Sequence, residues 1–186
     1  MIAPDKLLND LKRWVTRLED DLRERCKEQP EVDDHFRKLY TQAKSAGRTA
    51  HPYETWLDQE LTQVAVGWIL AMVFVRFLED NQLVDEPWIS GPGERRTLAA
   101  EIKERYFKQA PTAADNDYLQ HAFETVAKLP GMADLFDKRH NPLWQAKISG
   151  DAAAALIEFW RKIDHESGEL VHDFSDPDWN TRFLGD

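Results

Sequence analysis

The sequence predicts an all-α protein, an irregular multi-helix bundle around one long buried central helix, with aromatic-rich loops. Three observations lead to this prediction. Apolar residues recur at three- and four-residue spacings in most segments. Proline and glycine fall mostly between these segments rather than within them. No stretch alternates apolar and polar residues for long enough to predict a strand.

The first 46 residues are predicted to form a helical hairpin. The first helix runs from residue 5 to about residue 28, and one face of it is apolar: Leu7, Leu8, Leu11, Trp14, Val15, Leu18 and Leu22. Pro30 ends this helix because a proline cannot continue it. A second helix is predicted over residues 31–46, with Gly47 stopping it.

A long helix is predicted from Tyr53 to about Asn81. Its middle, residues 64–75, is apolar on all sides. The run is bounded by polar residues: Gln63 before it and Arg76, Glu79 and Asp80 after it. A membrane span needs about 20 apolar residues, so we expect a central helix buried by its neighbours and no contact with a membrane.

Three more helices are predicted, over residues 95–109, 115–129 and 152–164, with Ser149 or Asp151 capping the last. The stretch between residues 131 and 150 is predicted to hold a short helical turn and an aromatic-anchored loop. Another helix start is predicted at residues 175–178. The whole chain, residues 1–186, then reads as a single helical domain with three parts: a hairpin (1–46), a helical core (53–164) and an acidic connector (165–186).

Charge and cysteine usage limit the classes of function. The formal net charge is −10, and residues 51–186 hold 13 basic against 24 acidic side chains. Such a balance is not typical of a nucleic-acid-binding domain, which usually carries a basic patch. The single cysteine, Cys26, rules out an internal disulfide. The residues after Met1 do not resemble a signal peptide, so we expect a cytoplasmic protein.

One local group of cations could contact DNA phosphates: Arg95, Arg96, Lys103 and Arg105. The alternative interpretation is a solvated helix face, which is the more common role of such a group. A metal site could also be drawn from the polar residues near the end of the chain: His165, Glu166, His172, Asp173, Asp176 and Asp178. Their spacing matches no established ligand signature, so solvated or capping roles are favoured and no metal site is predicted.

The tetrapeptide Asn141-Pro142-Leu143-Trp144 resembles the motif with which amino-methyltransferases hold a flipped base. The third residue differs from that motif, and neither a preceding strand nor an upstream glycine-rich cofactor loop is evident. A structural loop in which Trp144 fills the core is therefore favoured. No nucleophile and base are suitably spaced elsewhere, so we predict no catalytic and no cofactor-binding residues in this chain.

Several strings of the chain resemble the N-terminal region of PglX-type adenine-specific DNA methyltransferases, especially those of type 2 BREX phage-defence systems. These strings lie at residues 62–68, 75–81, 141–144, 148–153 and 172–186. The resemblance implies a parent enzyme that uses S-adenosylmethionine to methylate adenine in double-stranded host DNA. It also implies a methyltransferase domain downstream of the connector, absent here, and contacts with other BREX components.

Three classes of function follow from these observations. The leading hypothesis is a non-catalytic accessory or scaffold domain of such a methyltransferase. The alternative is a stand-alone acidic helical protein that regulates a DNA-modifying or defence complex. An independent enzyme is the third class, and the absence of a credible catalytic constellation argues against it.

Overall fold

The computed structural model describes residues 3–176 and is all-α, which confirms the predicted fold class. The helices are α1 Pro4–Glu28, α2 Pro30–Ser45, α3 Tyr53–Asp80, α4 Arg95–Gln109, α5 Asp115–Val126 and α6 Gly150–Arg161. A short 3-10 helix, Pro142–Trp144, precedes α6. Among the described residues, β-type pairing is limited to an isolated bridge between Ile163 and Leu170.

Helix α3 lies at the centre of the bundle, in contact with α1, α2, α5 and the 3-10 helix. Because its middle is apolar all round, burial against neighbours on most sides is expected, and Leu70, 49% exposed, is the main exception. It is the one described helix long and apolar enough to cross a membrane, but 67% of its most apolar window is buried inside the fold. Trp68 and Met72 are fully buried there. The predicted buried central helix is therefore confirmed.

Helices α1 and α2 pack against each other, and both also pack against α3. The buried residues of α1 follow seven- and four-residue intervals along one face: Leu7, Trp14, Leu18, Leu22 and Cys26. Pro30, predicted to end α1, also begins α2, where its missing N–H removes no helical hydrogen bond. The division into hairpin, core and connector stays a prediction, since α1 also contacts the core helix.

Two predicted helix boundaries are wrong by about one turn. Helix α5 ends at Val126 rather than at residue 129, because the next residues form tighter three-residue turns before Pro130. Helix α6 begins at Gly150, and the Ser149 side chain accepts a hydrogen bond from the N–H of Ala152 at 3.0 Å, as a cap should. The same helix ends at Arg161, three residues early, because the chain then extends into the isolated bridge.

Aromatic side chains from the connecting segments fill the space between the helices, as predicted. Trp88, Phe136 and Phe174 are buried, and each lies outside the six helices. The Phe174 ring lies 5.8 Å from the ring of Trp160 in α6. The helix start predicted at residues 175–178 and the rest of the chain to residue 186 lie largely outside the described residues.

Candidate functional site: a buried ion cluster and its surroundings

The C-terminal end of α3 carries a buried ion cluster of Arg76, Glu79 and Asp80. The Arg76 guanidinium donates to Glu79 Oε2 at 3.1 Å and to Asp80 Oδ1 at 2.6 Å. All three side chains are 0% exposed in these ion pairs. Charges this deep must be paired and hydrogen-bonded, because removing each ion from water costs roughly several kcal/mol.

The carboxylate of Glu79 organises the loop that follows α3. Its Oε1 accepts hydrogen bonds from the backbone N–H groups of Trp88 at 2.6 Å and Ile89 at 2.7 Å. Its Oε2 accepts a third from Ser90 at 3.1 Å. The Tyr118 hydroxyl donates to the carbonyl of Trp88 at 2.7 Å from the other side. The loop is therefore held by side chains, since it has no regular backbone pairing of its own.

Burial dominates the titration of both carboxyl groups in this cluster. It raises the pKa of Asp80 to about 7, against the opposing effects of Arg76 and of the N–H of Phe174. It also raises the pKa of Glu79, against Arg76 and three backbone N–H groups. Two carboxyl groups share one guanidinium, so a proton held by the cluster neutralises its excess negative charge.

The last described segment of the chain is anchored to the end of α3. The N–H of Phe174 donates to Asp80 Oδ2 at 2.9 Å, and the Asn81 side-chain amide donates to the carbonyl of Phe174 at 3.0 Å. The N–H of Asp176 donates to Asn81 Oδ1 at 3.1 Å. Asp80 and Asn81 thus bind this segment by hydrogen bonds from their side chains to its backbone. We call residues 172–176 the exit segment.

His172 fastens the start of the exit segment to α1. Its Nε2 lies 3.1 Å from Asp10 Oδ2, and its side chain is 1% exposed. The imidazole ring packs on Phe159 with 5.2 Å between ring centroids. Burial and then the positive charge of Lys6 lower the pKa of His172, while Asp10 opposes the shift.

The tetrapeptide at residues 141–144 forms a structural loop that docks on α3. The Asn141 Oδ1 accepts the N–H of Leu143 at 3.0 Å, which begins the 3-10 helix. Leu143 is fully buried, whereas Trp144 is only partly buried and donates its ring N–H to the carbonyl of Phe136 at 3.0 Å. Trp144 was predicted to fill the core, but the residue that does so is Leu143. A Cβ atom at Gly67 would lie 2.9 Å from the nitrogen of Leu143, so the loop fits only against a glycine.

An apolar groove of about 470 Å³ lies beside this docked loop. Helix α3 contributes Val66, Leu70 and Phe74 to its lining, and Leu70 is 49% exposed. Of its two titratable lining groups, His140 lies 3.5 Å from Asp137 Oδ1, a carboxylate outside the lining, and is not paired with Asp134.

The four cations predicted to contact DNA phosphates all lie in α4, and most of them have partners within the fold. Arg95 donates to the carbonyl of Val84 at 2.7 Å. Lys103 pairs with Asp115 at 2.5 Å, and Arg105 pairs with Glu86 at 3.3 Å. Arg96 lines a separate cleft with the glycines at 91 and 93. Their contact with DNA stays a prediction, although internal partners already use three of these side chains.

The polar residues named as metal candidates are spread over the end of the chain rather than gathered. Within residues 3–176, no group of three His, Cys, Asp or Glu side chains has a geometry that could hold a metal ion. His172 is turned toward Asp10, while Asp173 accepts from the N–H and hydroxyl of Ser175. Asp178 lies outside the described residues.

The sequence places Arg76, Glu79 and Asp80 together at the polar end of the central helix, but it did not predict their complete burial. It also missed the part that Asp80 and Asn81 play in holding the exit segment. The available signal was the position of three charged residues at the end of an apolar helix, where burial forces pairing. Asp80 and Phe174 are 94 positions apart in the sequence, so no local pattern could predict the second contact.

The chain is similar over its whole length to one part of a much longer protein. It is 45% identical over 194 aligned positions to the adenine-specific methyltransferase PglX of Streptomyces coelicolor. That alignment covers 100% of this chain and 16% of the relative. No protein-family model and no solved structure matches the chain. The predicted resemblance is thereby confirmed, and its extent is consistent with an N-terminal region.

Proposed function

Because the whole chain is similar to a part of an adenine-specific methyltransferase, we propose that it is the N-terminal helical scaffold domain of such an enzyme. The observation that carries the proposal is the 45% identity over the full chain to PglX. In this proposal the domain itself is non-catalytic. The complete enzyme uses S-adenosylmethionine to methylate adenine in double-stranded host DNA, as part of a BREX-type antiphage defence.

The structure of the described residues supports a non-catalytic role. A cofactor loop of the methyltransferase kind needs a strand followed by a glycine-rich turn and a helix. Residues 3–176 contain no strand beyond one isolated bridge, and the proposal therefore places S-adenosylmethionine binding elsewhere in the complete enzyme. The perturbed carboxyl groups, Glu79 and Asp80, are enclosed and bind the protein's own backbone rather than facing a cleft.

The anchored exit segment supports a scaffold role. Asp80 accepts a hydrogen bond from the backbone of the exit segment, Asn81 donates one to it, and the buried ring of Phe174 holds this segment against the helical core. A segment held in this way can help to keep a following domain in a defined position. The partners we propose are therefore the methyltransferase domain of the same polypeptide, duplex DNA through that enzyme, and other BREX components. We propose that all of them meet in the cytoplasm.

The experiment that tests this function begins with the protein in its native cell. An antibody against residues 3–176 is used to detect the protein and to precipitate it under native conditions. The precipitate is then incubated with duplex DNA and methyl-labelled S-adenosylmethionine. We expect a species far above 21.6 kDa, which is the mass of this chain alone, and label transferred to adenine.

Two outcomes would overturn the proposal. A species at the mass of this chain, with no methyltransferase bound to it, would favour the stand-alone regulatory protein. A large species that transfers no methyl group to adenine would separate the chain from the activity named for its relative. A matched precipitation in the presence of excess purified chain, which competes for the antibody, controls for activity carried over nonspecifically.

A further inference from the structure

A groove of about 480 Å³ runs between α1 and the end of α6, on a surface that the proposed function does not use. Four cations and two aromatic residues line it together with Asp10 and Val171. The cations are Lys6, Arg13, Arg17 and Lys162, and the aromatic residues are Trp14 and Phe159. We call this groove, with its four cations, the basic groove. Four positive charges face one carboxylate there, whereas the whole chain carries a net charge of −10.

The periodicity of α1 gathers these charges on one side. Lys6, Arg13 and Arg17 are separated by seven and four residues, which places them along a single helical stripe. Lys162 joins them from the residue that follows α6. The sequence pattern therefore builds a local positive surface within a stretch whose total charge is nearly balanced.

The one carboxylate in the groove is already satisfied. Asp10 Oδ2 lies 3.1 Å from Lys6 Nζ and 3.1 Å from His172 Nε2, and its Oδ1 lies 3.3 Å from Arg13. Arg17 lies over the Trp14 ring at 4.6 Å. Within the described part of the chain, neither Arg17 nor Lys162 forms an ion pair.

The cations of the basic groove are also accessible. The side chains of Arg13 and Lys6 are 80% and 55% exposed, and Arg17 and Lys162 lie at the surface. In the group on α4, Arg95, Lys103 and Arg105 each have a carbonyl or carboxylate acceptor of their own, whereas in the basic groove Lys6 and Arg13 share Asp10.

We propose that Lys6, Arg13, Arg17 and Lys162 bind the phosphate backbone of duplex DNA. The proposal rests on the proposed function, because an adenine-specific DNA methyltransferase has to hold its duplex beyond the reacting base. Single-strand recognition needs exposed rings on which bases stack. Trp14 is only 9% exposed and Phe159 is partly buried, so the groove suits a backbone contact better than a splayed strand.

The test measures duplex binding by the complete 186-residue chain as a function of salt concentration. The triple variant Arg13→Gln, Arg17→Gln, Lys162→Gln removes three charges from the basic groove and leaves the Lys6–Asp10 pair intact. The control variant Lys27→Gln, Lys38→Gln, Lys128→Gln removes three exposed charges elsewhere and changes the net charge equally. Circular dichroism and thermal unfolding establish that both variants remain folded.

The expected result is a difference between two variants of equal charge. The groove variant should bind a labelled duplex about 100-fold more weakly at low salt, and its slope of log affinity against log salt should fall by about 3. The control variant should stay within about twofold of the wild type. Equal losses in both variants would show a general charge effect and overturn the proposal. So would wild-type affinity that does not depend on salt, or a preference for an acidic peptide such as polyglutamate over the duplex.

Failure here and failure of the proposed function are distinguishable. If the native protein is large and methylates adenine but the groove variant binds duplex like the wild type, only the groove proposal falls. If the native protein is a 21.6 kDa species without methyltransferase activity and the groove variant still loses duplex binding, the proposed function falls and the groove remains a DNA-binding surface.

Discussion

The Asp80 carboxylate accepts a hydrogen bond from the backbone N–H of Phe174 at 2.9 Å, although 94 residues separate the two in the sequence. The other oxygen of that carboxylate pairs with Arg76 at 2.6 Å. One buried side chain therefore links the central helix to the exit segment. Since none of these groups has access to water, removing one partner leaves the others unsatisfied.

Replacing Asp80 by alanine should destabilise the whole fold. The variant leaves the Arg76 guanidinium with one carboxylate and removes the carboxylate that accepts the Phe174 N–H, and breaking a buried pair in this way costs about 3–5 kcal/mol. Urea unfolding followed by tryptophan fluorescence measures the loss. Asp85→Ala is the control, because Asp85 is exposed in the following loop and should change the free energy of unfolding by less than about 0.5 kcal/mol. Similar values for the two variants would contradict the anchoring role of Asp80.

Glu79→Gln should be as damaging as the loss of a buried ion pair, although the side chain keeps its size. The amide has one acceptor oxygen in place of two, so it cannot serve three backbone N–H groups and Arg76 together. We expect a loss of about 3 kcal/mol or more in the free energy of unfolding. Glu86→Gln, which alters an exposed pair with Arg105, should cost less than about 1 kcal/mol. A harmless Glu79→Gln would mean that the loop is held by its other contacts alone.

Gly67→Ala tests the contact between α3 and the loop at residues 141–144. Alanine is the better helix former by about 1 kcal/mol, so a stabilising effect would be expected on an open helix surface. Here the new Cβ would lie 2.9 Å from the backbone nitrogen of Leu143, and backbone cannot move aside cheaply. The free energy of unfolding should therefore fall by about 1–3 kcal/mol. Gln63→Ala, on an exposed turn of the same helix, should leave it within about 0.5 kcal/mol of the wild type; a stabilised Gly67→Ala would show that the loop does not lie there.

The sequence predicted helices well because helical contacts are local. Leu7, Trp14 and Leu18 recur at helical intervals, so the helix can be predicted from them without knowing which elements pack against it. Boundaries were less accurate where long-range pairing intervenes, as at Arg161, after which the chain turns into the bridge with Leu170.

The candidate surfaces were harder to predict because they depend on which helices become neighbours. The basic groove joins three cations of α1 to Lys162, and no local pattern connects residues so far apart. The exit segment likewise depends on Asp80 and Asn81 meeting Phe174 across the fold. In the loop at residues 141–144, the choice between Leu143 and Trp144 as the buried residue was set by the close approach to Gly67, which sequence reasoning did not consider.

The contribution of His172 to stability should fall as the pH is lowered from about 7 to 5, against the opposite effect of Asp80 and Glu79, whose raised pKa values let the native state take up protons over the same range. Burial and Lys6, with a smaller effect from Arg76, lower the pKa of His172 below its unfolded value of about 6.5, while Asp10 opposes them. Below that value the unfolded chain binds a proton that the native state resists, so this contribution to the free energy of unfolding decreases.

The measurement for this prediction compares urea unfolding at several pH values in the wild type, in His172→Gln and in His35→Gln. His172→Gln removes the buried imidazole, so its free energy of unfolding should rise relative to that of the wild type between about pH 7 and 5. His35 is exposed on α2, and its variant should follow the wild-type curve. Parallel curves for the wild type and His172→Gln would show that the pairing with Asp10 offsets burial and that other groups set the pH dependence. A wild-type free energy of unfolding that falls relative to that of His172→Gln as the pH is lowered, together with a His35→Gln that follows the wild type, would instead identify the junction between the exit segment and α1 as acid-sensitive.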